Sequence, residues 1–307
     1  MKWEKKGLIY TPNKDGSWKD NSALTPTAFL LDENTIRIYT SFRDKKGVGR
    51  IGYVDVSSSN PKEILKISNN PVLDIGKDGM FDDNGMILGD LIKVGKKIYM
   101  YYVGFQLVKK SKFLAYSGLA ISDDNGETFH RYKNTPIMDR SNEALYIRAI
   151  HSVIYEDQKF KFWYATGNGW ENIDEVDFPQ YDINYIESED GITFKEKGIK
   201  CIENNKTNLE YRIGRPRTYK KNDKYIMNFT YGTTDGRYIA GQATSRDGII
   251  WSRDDKQLGI ELSKEGWDSI HLSYPSIITI KDKTYMFYNG NNMGLDGFGY
   301  AEMVNNK

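Results

Sequence analysis

Five arginines and one histidine stand where the chain turns from loop into short β-branched and aromatic runs: Arg43, Arg148, His151, Arg212, Arg215 and Arg217. A guanidinium grips a carboxylate or phosphate through two parallel hydrogen bonds, so a convergent set suits an anionic ligand. Taken singly, each arginine reads as a tie to a nearby acid. Taken together, they point to a ligand. Carboxylates lie among them at Asp82, Asp83, Asp90, Glu143, Glu210 and Asp268. Two carboxylates roughly 5–9.5 Å apart can share acid and nucleophile or base work at an acetal centre. Asp90 and Glu210 rank first for proton transfer because arginines flank them, and Asp83 follows. Asp82 and Asp268 are binding candidates. Tyr274 and Trp170 could stack on a ring, Trp170 from a long acidic loop running from Glu171 to Gln180.

Metal chemistry has little support in composition. The chain has three histidines (His130, His151, His271) and one cysteine, Cys201. That leaves no Cys-rich zinc site, no internal disulfide and no His-only centre. No cofactor is expected, although Asp82, Asp83 and Asp90 could hold a hard cation such as calcium in a channel.

The elements that must position these residues repeat. Ile36–Ser41, Ile98–Gly104, Phe160–Ala165, Tyr225–Thr230 and Thr284–Gly290 are similar β-branched and aromatic runs, each preceded by a polar turn and another apolar run. With Ile38, Met100, Phe162, Met227 and Met286 as equivalents, the spacings are 62, 62, 65 and 59 residues, near one-fifth of the 307-residue chain. Each copy reads as a β-hairpin. Turn boxes follow at 122–129, 188–194 and 245–251, of the form Ser-x-Asp-Gly-x-x-Phe/Trp with one inserted residue in the first, and a looser copy stands at 57–60. Their Asp and Gly are explained by turn chemistry alone. The last copy lacks an outer strand, and Trp3–Tyr10 resembles the missing piece. The expectation is an all-β, five-bladed β-propeller, one domain over 1–307, its ring closed by the N-terminal strand joining the last blade.

Composition sets further bounds. Lys+Arg 43 against Asp+Glu 42 gives a formal charge of +1, which argues against a nucleic-acid partner and a polybasic membrane surface. No apolar stretch is long enough to span a bilayer, and no secretory signal opens the chain. A cytoplasmic protein, monomeric or weakly self-associating, is expected.

The sequence resembles the five-bladed glycoside hydrolase clan: the arabinanase/xylosidase group, the invertase group and the mannoside phosphorylases. The resemblance covers almost the whole chain. It rests on Trp267-Asp268 with Tyr274-Pro275-Ser276, on Phe81-Asp82 before Gly89-Asp90, and on the turn boxes. Arg43–Gly52 and Arg215-Pro216-Arg217 also look like glycosidase-like propellers of bacterial polysaccharide loci. The resemblance implies a site at one mouth of a central channel. Asp90 matches the blade-two Asp of the arabinanase group. The base Asp of blade one is replaced by Thr25-Pro26, and the acid Glu of blade three by Ala149-Ile150-His151. The Asp-Pro-Arg of the phosphorylase group is here Leu88-Gly89-Asp90. The expected function is glycosidase-like or sugar-transfer chemistry on an anionic or activated sugar: a sugar nucleotide, sugar phosphate or acidic glycan. The alternative is a propeller that binds carbohydrate or nucleotide sugar without catalysis, having lost the glycosidase carboxylates.

Overall fold

The computed structural model describes residues 2–206 and 209–304. Its regular structure is β-strand with short 3-10 turns; among the described residues no helix is long and apolar enough to cross a membrane. The chain opens with β1 (Trp3–Tyr10). Then come β2 (Ser22–Leu30), β3 (Thr35–Arg43), β4 (Gly49–Ser57) and β5 (Ile64–Ile67). The next set is β6 (Met86–Val94), β7 (Lys97–Leu107), β8 (Phe113–Ser122) and β9 (His130–Arg131). It is followed by β10 (Ile147–Glu156), β11 (Lys159–Ile173), β12 (Val176–Ser188) and β13 (Ile199–Ile202). After these come β14 (Glu210–Lys221), β15 (Lys224–Thr233), β16 (Tyr238–Ser245) and β17 (Trp251–Arg253). The chain closes with β18 (Ser273–Ile280), β19 (Lys283–Asn289) and β20 (Phe298–Met303).

Each set folds as an antiparallel meander. β2–β5 and β14–β17 are separate four-stranded sheets. β6–β9 and β10–β13 share one eight-stranded sheet, joined by a short parallel pairing of Ile147 with Ala115 and Arg148 with Tyr116. β18–β20 gain a fourth strand from the other end of the chain. There β1 runs antiparallel to β20, from Trp3 opposite Met303 to Tyr10 opposite Phe298. The first strands of successive meanders touch in cyclic order: β2 with β6, β6 with β10, β10 with β14, β14 with β18, and β18 with β2.

The five equivalent apolar residues of the repeat are each the fourth residue of a second strand and are 0% exposed. Turn boxes tie the second, third and fourth meanders to their predecessors. Ser188 and Ser245 each cap their own turn through Asp190 and Asp247. The carbonyls of Gly126, Gly191 and Gly248 then accept hydrogen bonds from Tyr39, Tyr101 and Trp163 of the preceding meander, at 3.0, 3.0 and 2.8 Å. The sequence motif is thus a sheet-to-sheet fastener.

Every first strand carries a bulge at the same level. The register slips between Leu24 and Thr27, Leu88 and Asp90, Ile150 and Ser152, Gly214 and Arg217, and Ser273 and Ser276. The extra residues are Thr25-Pro26, Gly89, His151, Arg215-Pro216 and Tyr274-Pro275. Proline supplies no ladder donor, which suits it to a bulge. Thr25, Arg215 and Tyr274, each before a proline, hold φ of 58°, 54° and 58°. Such left-handed backbone is costly for non-glycine residues and concentrates at sites where a side chain must be re-aimed. At Gly89 a Cβ would lie 2.2 Å from the Ile150 carbonyl oxygen, so only glycine fits there.

At the opposite end of the strands, Glu156 joins two meanders. It pairs with Lys161 of its own sheet at 2.8 Å, and with Lys220 and Tyr225 of the next. Hydrogen bonds from Lys161, Lys220 and Tyr225 hold its carboxyl down at about 2, against an ordinary 4.5. A depressed folded-state value gives stability that is present above 4.5 and lost as pH falls towards 2. Glu156→Gln should therefore flatten that part of the stability-against-pH curve, read by urea unfolding at stepped pH, while lowering stability at neutral pH.

Candidate functional site

The bulges bring residues from different sheets together. Arg215, on β14, reaches across to β6: its Nη1 donates to the Leu88 carbonyl and to Nδ1 of His151, the latter at 3.0 Å. Burial, then the charges of Arg215 and Arg217, push His151 well below the ordinary histidine range, so it stays neutral and accepts. Burial also lowers Arg215, to about 10. Tyr274 follows on the next bulge, its ring 5.7 Å from the Arg215 guanidinium. Arg217 pairs with Asp90, again between β14 and β6. Asp90 also accepts the amides of Leu91 at 2.7 Å and Val153 at 2.9 Å.

A second layer stands above this one, where the first strands begin. Arg212 is 6% exposed, and its guanidinium lies 4.4 Å from the Tyr238 ring, 4.7 Å from Tyr211, 5.7 Å from Phe178 and 5.8 Å from Tyr181. Its Nε is buried without a partner. The Tyr274 hydroxyl is pushed up to about 12, by burial first, with Tyr181 adding and Arg212, Arg215 and Arg43 opposing. Arg43 ends β3, half-buried, and burial lowers it too. Arg215 thus lies beside the Tyr274 ring, and Arg43 and Arg212 are near enough for their charges to act on its hydroxyl. Among the described residues none of the three has a carboxylate partner.

The remaining sequence candidates have other partners. Asp82 pairs with Arg131 of β9 at 2.7 Å, Glu210 with Arg253 of β17 at 2.9 Å, and Asp268 with Lys5 of β1 at 2.7 Å. The geometry repeats: an acid just before or at the start of a first strand is held by a cation on the outermost strand of the same sheet. In two of these sheets the aromatic before the acid stacks on a second-strand tyrosine, Phe81 on Tyr102 at 5.7 Å and Trp267 on Tyr288 at 5.0 Å. The Phe81-Asp82 and Trp267-Asp268 motifs thus pin the approach to a first strand onto its own sheet. Asp83 accepts the Gly79 amide at 2.9 Å in a turn. Arg148 turns outward, 3.5 Å from Glu143 and 2.9 Å from the Asp139 carbonyl. Among the described residues no group of three or more His, Cys, Asp or Glu could hold a metal ion.

The segment expected as a loop around Trp170 is a hairpin. β11 continues to Ile173 and β12 begins at Val176, with a left-handed turn at Asp174 and Glu175. Trp170 packs edge-on against Phe113 at 5.2 Å and Tyr146 at 5.9 Å. It is Phe178 and Tyr181, on the returning strand, that meet Arg212. Tyr181, Tyr211, Tyr238 and Phe178 are the site residues that reading the sequence missed. Their only signal was aromatic residues near the starts of first and third strands.

No family model matches the chain. An uncharacterised protein of Mycobacterium tuberculosis, Rv1502, is 29% identical over 306 residues, spanning 99% of this chain and all of that protein. Among solved structures, a glycosyl hydrolase from Bacteroides ovatus superposes with a TM-score of 0.71 at 14% identity, over 100% of this chain and 94% of that one. A protein from work on GH130 mannoside phosphorylases and glycoside hydrolases gives 0.69 at 15%, over 99% and 94%. A thermostable family-43 glycoside hydrolase gives 0.67 at 16%, over 95% and 91%. The fold is that of the glycoside-hydrolase-like β-propellers. In such a propeller the first strand of each meander is the innermost one, and the arginine–tyrosine cluster occupies the end where those strands begin.

Proposed function

We propose that the chain is a five-bladed propeller forming one domain over 1–307, which takes an anionic or activated sugar at the arginine–tyrosine cluster. The cyclic contacts of the five first strands and the capture of β1 by β20 support five blades. The observation that carries the function is the set of Arg43, Arg212 and Arg215 about Tyr274, none of them ion-paired with an acid among the described residues. Buried charge without a counter-charge is costly, and a bound anion removes that cost.

The state of the acids narrows the chemistry. Expelling an alcohol from a glycosidic bond needs a carboxylic acid free to donate a proton. Asp82, Glu210 and Asp268 are each engaged by a cation, and Asp90 is engaged by Arg217 and two amides. A phosphate leaving group needs no such acid. When the anomeric C–O bond breaks, its electron pair stays on the phosphate oxygen, where preorganised guanidinium groups stabilise it. The attacking hydroxyl passes its proton to the released phosphate. A sugar phosphate or nucleotide sugar therefore fits better than a neutral glycoside. The same engaged acids also favour the second reading, binding without turnover. An acidic glycan, whose carboxylates the same guanidinium groups would grip, is the third candidate.

Time-resolved proton NMR tests this, with pooled nucleotide sugars, sugar phosphates, acidic sugars and neutral oligosaccharides. A new anomeric signal from the activated sugars supports the enzyme. Ligand broadening without product supports the binding propeller. Neither effect, or turnover of neutral glycosides alone, overturns the anionic assignment.

A further inference from the structure

Beside the arginine cluster, on the far side of Tyr181, the β11–β12 hairpin and the segment 196–206 enclose a cleft of about 1160 Å³. Its described lining has no aliphatic side chain. Amides and hydroxyls, among them Thr166, Gln180, Asn184 and Asn204, share it with four carboxylates and three lysines of nearly balanced charge, and Tyr181 is the single aromatic. Such a wall repels an apolar ligand and pairs with groups that both donate and accept.

The wall is built from behind. Glu143, its side chain 5% exposed, accepts the Tyr164 hydroxyl at 2.7 Å, the Gly198 amide at 2.9 Å and the Asn184 side-chain amide at 2.9 Å. Arg148 stands 3.5 Å behind the same carboxylate. This buried network fixes Asn184, which is itself 5% exposed, yet its Oδ1 has no partner. Asn204 is held in the same manner, donating to Asp182 at 2.7 Å while its Oδ1 is unpaired. Both residues line the cleft and each keeps a buried amide oxygen without a donor, a deficit that a ligand hydroxyl removes once the side chain turns into the cleft.

We propose that this cleft is a second binding site, for the neutral, hydroxyl-bearing glycosyl units of a glycan. Tyr181 is common to both places, so a ligand anchored by its anionic group among the arginines extends past that ring into the cleft. The proposal rests on the carbohydrate reading above and adds a place for the uncharged sugar.

The test uses the full chain with isotope-labelled asparagine side chains. Asn184→Leu and Asn204→Ala identify the two amide signals; if the first variant does not fold, the second suffices. The probes are a mixture of glucose, galactose, mannose, xylose and arabinose and, separately, inorganic phosphate and uridine diphosphate. The neutral mixture should shift those amide signals, and Asn204→Ala should weaken binding by roughly five- to tenfold. Amide signals unmoved by every neutral sugar overturn the cleft, whatever the arginines do. Neutral sugars that bind while both phosphates fail to perturb the arginine cluster keep the cleft and overturn the anionic reading instead.

Discussion

Arg212→Met is expected to abolish most anion binding while leaving the ligand-free protein as stable as before. The guanidinium is buried among Tyr211, Tyr238, Tyr181 and Phe178 and has no ion pair among the described residues. Removing it forfeits cation–π contacts of about 0.5–2 kcal/mol. It also removes the desolvation cost of a charge that nothing neutralises. These terms oppose one another, so stability should move by no more than about 1 kcal/mol in urea unfolding. Binding has no such compensation. Truncating one partner of a buried charged contact costs about 2–5 kcal/mol, so affinity for uridine diphosphate should fall roughly a hundredfold or more by calorimetry. Arg253→Met is the control: it strips a bidentate partner from Glu210 and should unfold more readily with ligand affinity unchanged. If Arg212→Met unfolded the protein and bound ligand normally, the arginine would be a structural post and the anionic site would be wrong.

The contrast between Arg212 and Arg253 also marks what the sequence could disclose. Hairpins were legible because one apolar position per repeat, from Ile38 to Met286, must be fully buried and recurs at nearly constant spacing. β1 was legible because the last repeat was one strand short. The arginines were legible as a type. Their partners were not, because pairing depends on the outermost strand. Glu210 meets a residue 43 positions later, Asp82 one 49 positions later, and Asp268 one 263 positions earlier. No local pattern encodes those distances. The extended β11–β12 hairpin was hidden by its turn. Two-residue hairpins favour Asn-Gly, whereas Asp174-Glu175 adopts the same left-handed backbone, φ 49° and 65°, without the residue types that advertise it. The sequence was read as a loop there, and Phe178 and Tyr181 went unseen with it.

Glu210→Gln should separate architecture from chemistry most sharply. Glu210 is 4% exposed, and both carboxylate oxygens face Arg253, at 3.0 and 2.9 Å. One of them also accepts the Asn205 amide at 2.7 Å. Glutamine keeps the shape and removes the charge, leaving the Arg253 guanidinium with only Asp255, at 2.8 Å, to balance it. Breaking one side of a buried pair typically costs about 3–5 kcal/mol, and a loss near that size is expected in urea unfolding. Once corrected for the folded fraction, turnover or ligand affinity should be that of the parent. Asp90→Asn should behave in the opposite sense. The asparagine oxygen can still accept one amide, so stability falls less. Arg217 loses its counter-charge beside Arg215 and His151, however, so the cluster becomes more positive and should bind phosphate more tightly. A Glu210→Gln protein that folded normally but had lost turnover would return that carboxylate to the chemistry, and the ion pair with Arg253 would then have to open when substrate binds.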